Sequence, residues 1–128
     1  MSAMSDYLES AILNHVLRNT SFTSPSVVYI GLSTASMNDD ASGTELSGSG
    51  YARQTIAFNA PSSGACTNSA DVDFPVATGT WGSITHYSIW DAASSGNMLA
   101  HGALTTSKTV TSGDILRIGS GQVTITAA

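Results

Sequence analysis

The spacing of hydrophobic positions changes once along this chain. Near the N-terminus, Leu8, Ala11, Ile12, His15 and Val16 recur at three- and four-residue intervals. That period puts them on one face and predicts a helix over 6–18. Asp6 reads as its N-cap, with Glu9 three residues on closing a capping box. Leu13 and Leu17 widen the apolar face. Arg18 falls in the last turn, where a cation meets the negative end of the helix dipole. Asn19 suits a left-handed stop. Such a helix either packs on the protein's own sheet or is shared with a neighbouring subunit, and its apolar arc is wide enough for both.

After Pro25 the period becomes two. Val28, Ile30 and Leu32 alternate with Val27, Tyr29 and Gly31, a strand apolar on both faces. Residues 34–50 are polar and Gly-rich with no period. A loop of that length is usually functional or mobile; contact with a neighbour and a solvated excursion are both open. A strand follows over 51–59, then a turn-rich link over 60–68. Val72 and Phe74 make a half-buried strand closed by Pro75. A longer strand opens at Trp81, turns over 91–97, and returns as 98–105. Turns at 112–114 and 119–121 frame a last hairpin, with Ile115 or Leu116 opposing Val123 and Ile125. The expectation is all-β with an N-terminal helix: an antiparallel, jelly-roll-like β-sandwich of about six to eight strands, forming one domain over 1–128. A second helix to cover a parallel crossover is missing from the pattern. So is any heptad or collagen repeat that would make a fibre shaft.

Composition narrows the partners. Charged residues are 10% of the chain, against about 25% in a typical soluble domain. Four Lys or Arg face nine Asp or Glu, for a net charge of −5. Arg18, Arg53, Lys108 and Arg117 stand singly, so nucleic acid and anionic membranes are not expected partners. No apolar run reaches the roughly 20 residues of a membrane helix, and MSAMSDYLES lacks the basic start of a secretory signal. Cys66 is the one cysteine, which excludes an intrachain disulfide. Few charges and many hydroxyls suit an assembly surface or a sugar-contacting one.

Candidate chemistry is sparse. His86 and His101 would sit opposite each other if 91–96 were the hairpin loop. Two imidazoles fall short of the three protein ligands of a catalytic zinc, and Asp71 and Asp73 lie on another strand. Asn38, Asp39 and Asp40 do not match the alternating oxygen ligands of a calcium loop. Cys66 sits in a Ser/Gly/Asn turn without a nucleophile signature. Trp81, Tyr87 and Trp90 could stack on sugars, but their setting among Ile84 and Ile89 reads as core. We therefore expect no catalytic, cofactor or metal site, and no enzyme.

The stretches SDYLESAILNHVLRNTSFTSPSVVYIGLST, GYARQTIAFNAPSSG, NSADVDFPVATGTWGSITHYSIWDAASSGNMLAHGAL and SKTVTSGDILRIGSGQVTIT resemble a group of short tailed-bacteriophage virion proteins, often labelled tail-fibre proteins. The similarity runs from about residue 5 to the C-terminus. It implies a non-enzymatic virion structural protein with a β-sandwich, in contact with the major capsid protein or with tail proteins. Because the chain has no elongated repeat, a decoration (cement) protein on the outer capsid surface is the favoured form, as a homo-oligomer and possibly a trimer. A tail or tail-fibre module, or a carbohydrate-binding adhesin, are the alternatives.

Overall fold

A computed structural model describes residues 2–127. Within them lie nine strands and one helix: β1 (Ser2–Met4), α1 (Asp6–Leu17), β2 (Val28–Ser33), β3 (Gln54–Ile56), β4 (Ala65–Thr67), β5 (Val72–Asp73), β6 (Gly82–Trp90), β7 (Met98–Val110), β8 (Arg117–Ile118) and β9 (Thr124–Thr126). The main sheet has five antiparallel strands in the order β1-β7-β6-β2-β3. Two small ribbons, β4–β9 and β5–β8, form the opposing layer. The expected all-β architecture with an N-terminal helix is thus observed.

Alternation explains where the core lies. Ile30 and Leu32 of β2 stand opposite Ile89 and Tyr87 of β6. All four are buried, in one cluster with Ile84, Leu99, Val72, Phe74, Leu116, Ile118 and Val123. The main sheet supplies most of this core, and the ribbons and their flanking residues close it from the other side. The Tyr87 hydroxyl crosses to donate to the Thr124 carbonyl. A second small cluster of Met37, Trp90 and Met98 forms under the loop that follows β2.

Several local expectations are corrected. Ser5, not Asp6, caps α1: its hydroxyl accepts from the Leu8 amide and donates to the Met98 carbonyl. Ser5 is buried, so it can answer both groups, whereas Asp6 is exposed. The final hairpin does not form. β8 pairs with β5 and β9 pairs with β4, and in this arrangement Ile118 and Val123 are buried in the core with Val72. The strand expected over 51–59 shrinks to Gln54–Ile56, while β4 rises inside the expected link and β1 precedes the helix. Asn19 does take the left-handed conformation, with φ of 53°, and the Thr20 amide reaches back to the Asn14 carbonyl.

Candidate interaction surfaces

α1 rests on the sheet by few side chains. Its cap is anchored, and Leu8 packs against the core, yet none of its residues is buried. Leu13, Val16 and Leu17 are 56%, 68% and 74% exposed, and Ile12 is also exposed. At 100° per residue these four fall within an arc of about 140°, which borders Leu8 at Ile12 and lies farthest from it at Leu17. Ile12 and Leu13 line an apolar depression with Met4, Glu9 and Ala127. A 12-residue helix is marginal in isolation, so its cap and few sheet contacts hold it in place while its apolar side faces outward.

The loop after β2 is clasped rather than free. Glu45 bridges to Ser33, and the Leu46 amide donates to the Leu32 carbonyl. Arg53 holds the Glu45 carboxylate through Nη2 and Nε at 2.7 and 2.9 Å. The same guanidinium donates to the carbonyls of Ala92 and Ser95, and its carbon lies 3.8 Å from the centroid of the Trp90 ring. One cation thus ties the loop, the β6–β7 turn and the sheet together. The Tyr51 hydroxyl donates to Glu45 and accepts from the Leu32 amide. Burial, together with the Glu45 carboxylate, pushes that hydroxyl's pKa far above the tyrosine range. Lower in the loop, Asp39 meets His101 at 2.6 Å and the Asp39 carbonyl accepts from the Asp6 amide.

The groups singled out by sequence for chemistry are dispersed. His86 faces Ala103 and His101 faces Ser88, so the two histidines are not opposite. A register shift between Ile89 and Trp90 displaces the pairing expected from the loop length. His86 Nδ1 instead lies 2.7 Å from the Thr85 hydroxyl. The Ser42 hydroxyl, and then the Ser42 amide from which Asp40 accepts, hold the Asp40 carboxyl below its ordinary value. Arg117 bridges Asp73 at 2.7 Å and Asp71 at 3.7 Å. The bond from Arg117 holds the Asp73 carboxyl below its ordinary value. Among the described residues no cluster of three or more His, Cys, Asp or Glu could hold a metal ion. No helix there is long and apolar enough to cross a membrane. Trp81, Tyr87 and Trp90 are buried; the indole N–H groups of Trp81 and Trp90 donate to the Ser49 carbonyl and the Ser88 hydroxyl. They make no exposed platform.

The comparison with known families spans nearly all of the chain. The family described as podophage GP4 fiber I protein gp80 matches residues 3–126, from β1 through β9. The chain belongs to this phage fibre family. It is therefore a structural component of a virion, associated with other virion proteins. No curated protein matches the chain. Sequence reasoning missed the Glu45–Arg53 clasp. Its only signal was a Glu in a polar loop and an Arg among alternating apolar positions.

Proposed function

We propose that this protein is a non-enzymatic fibre module, seated on a neighbouring virion protein by the outward apolar side of α1. The observation that carries this reading is the exposed row of Ile12, Leu13, Val16 and Leu17 on a helix whose N-terminal end is fixed to β7. Exposed contiguous apolar surface of this kind marks an interaction site. At about 25 cal/mol/Å², covering even half of a Leu side chain contributes on the order of 1 kcal/mol. Four such residues on every subunit of a repeated assembly add up. The low charge of the chain supports the same reading, since few ionised groups would need desolvation at the contact.

The fibre setting is supported by the family description. The capsid-decoration form favoured by the missing shaft repeat gains no comparable support. The test is to introduce Leu13→Glu with Leu17→Glu into the phage and assay purified virions for the protein. Both sites are exposed, so the isolated variant should unfold at the wild-type temperature while incorporation fails. Normal incorporation would refute the docking role of α1. Cryo-electron microscopy of wild-type virions should place the density on fibres, and density confined to the shell would replace the fibre module by a decoration protein.

A further inference from the structure

A cleft of about 400 Å³ opens between β7 and the β8–β9 region. That volume falls within the range of small-molecule sites. Beside it the β6–β7 pairing is irregular. Ile84 pairs with Lys108, and His86 pairs with Ala103. Thr85 alone therefore spans the interval that Leu104, Thr105, Thr106 and Ser107 fill on β7. Bulges of this sort re-aim side chains and recur beside functional sites.

The lining is unusual for so acidic a chain. Leu104 provides apolar surface above the buried Ile118, and Lys108, Gln122, Thr105, Thr106 and Thr124 provide polar groups. None of the lining residues is a carboxylate. The nearby acids, Asp73 of β5 and Asp71 just before it, are engaged by Arg117 and, for Asp71, the Ser120 amide. Lys108 is the chain's one lysine. Among the described residues it forms no ion pair, whereas Arg53 and Arg117 both do. The Gln122 side-chain carbonyl oxygen accepts from the Gly119 amide, and its NH₂ group takes part in no side-chain hydrogen bond among the described residues. The hydroxyls of Thr105, Thr106 and Thr124 take part in no side-chain hydrogen bond among the described residues.

We propose that this cleft binds an acidic sugar unit, with its carboxylate on Lys108. One lysine balances one carboxylate and would leave a dianionic phosphate half neutralised. Threonine hydroxyls both donate and accept, as ring hydroxyls require. The partly exposed Leu104 side chain offers an apolar contact for the C–H face of a pyranose. The cleft uses no residue of α1, so it stands or falls separately from the docking reading.

The experiment titrates the full-length, ¹⁵N-labelled chain with glucuronate and galacturonate. The neutral sugars glucose and galactose, and acetate and phosphate, serve as parallel arms at equal ionic strength. A uronate should shift amides of 104–108 and 118–124 with millimolar affinity, and the neutral sugars should bind about tenfold more weakly. Lys108→Gln should lose about tenfold in uronate affinity while amide signals elsewhere stay in place. Thr105→Val, at an exposed position, tests the hydroxyl contacts should the first variant misfold. The proposal is overturned by shifts outside the cleft, by no shift at about 50 mM uronate, by acetate or phosphate binding as tightly as a uronate, or by unchanged affinity in both variants.

Discussion

Replacing Arg53 with Met tests whether one cation holds the loop to the sheet. The substitution keeps a stem of similar length and removes the guanidinium. In the native protein the Arg53 side chain is 7% exposed and that of Glu45 19%. The change strands the Glu45 carboxylate and leaves the Ala92 and Ser95 carbonyls without this donor. Removing one partner of a buried pair costs about 3–5 kcal/mol. The residual exposure of Glu45, and the Tyr51 hydroxyl that still donates to it, set the figure at the low end. The lost stacking on Trp90 costs about another 1 kcal/mol, much of which a Met sulfur against the ring restores. The expected loss is therefore about 3 kcal/mol, or roughly 12 °C in Tm at this chain length. Urea unfolding followed by tryptophan fluorescence measures it. A double-mutant cycle with Glu45→Gln should return a coupling of about 2 kcal/mol. A loss below about 1 kcal/mol, or no coupling, would refute the reasoning and make the loop independent of Arg53.

Other outcomes follow from the same geometry. A Cβ at Gly31 would lie 2.6 Å from Glu45 Oε2 and 3.0 Å from the Tyr51 hydroxyl, so Gly31→Ala should cost about 2 kcal/mol by parting the clasp; a neutral result in thermal melts would contradict that packing. Ser5→Ala removes the α1 cap and leaves the Met98 carbonyl without its partner, at about 1–2 kcal/mol, and circular dichroism should show the helix signal falling before the sheet melts. Burial pushes the Tyr87 pKa up to about 12, and Tyr51 is raised as well. Their folded values lie above the unfolded value near 10, so the stability they contribute is complete below pH 10 and is lost as pH rises toward 12. Tyr87→Phe should flatten that alkaline fall in urea midpoints, and an unchanged slope would assign it elsewhere.

Local signals in the sequence revealed the elements but not their partners. The three-and-four spacing of Leu8, Ile12 and Val16 marked α1 to within a residue, and alternation from Val28 and from Trp81 marked β2 and β6. Strand pairing was another matter. β8 and β9 are two and three residues long, too short for alternation to carry information, and their partners lie about fifty residues away. The helix cap was missed because Ser5 and Asp6 are both good caps, and only burial against β7 separates them. The apolar width of α1 was visible, whereas which arc faces the sheet depends on tertiary packing. The β7 bulge had no signal, since Leu104–Ser107 continues the strand's own composition.

The seat of α1 also orders events in time. Ser2, Ala3 and Met4 pair with Gly102, His101 and Ala100, and Ser5 bonds to Met98. On a ribosome α1 emerges before β7, yet its mooring is made of residues that follow about a hundred positions later. Long-range pairing of this kind forms late, after the cost of closing the intervening chain is met. The apolar row on α1 is therefore held in a fixed orientation only once β7 has joined the sheet. An unfinished or misfolded chain carries the same side chains without the geometry, so rigid presentation of the docking row doubles as a check that the subunit is complete.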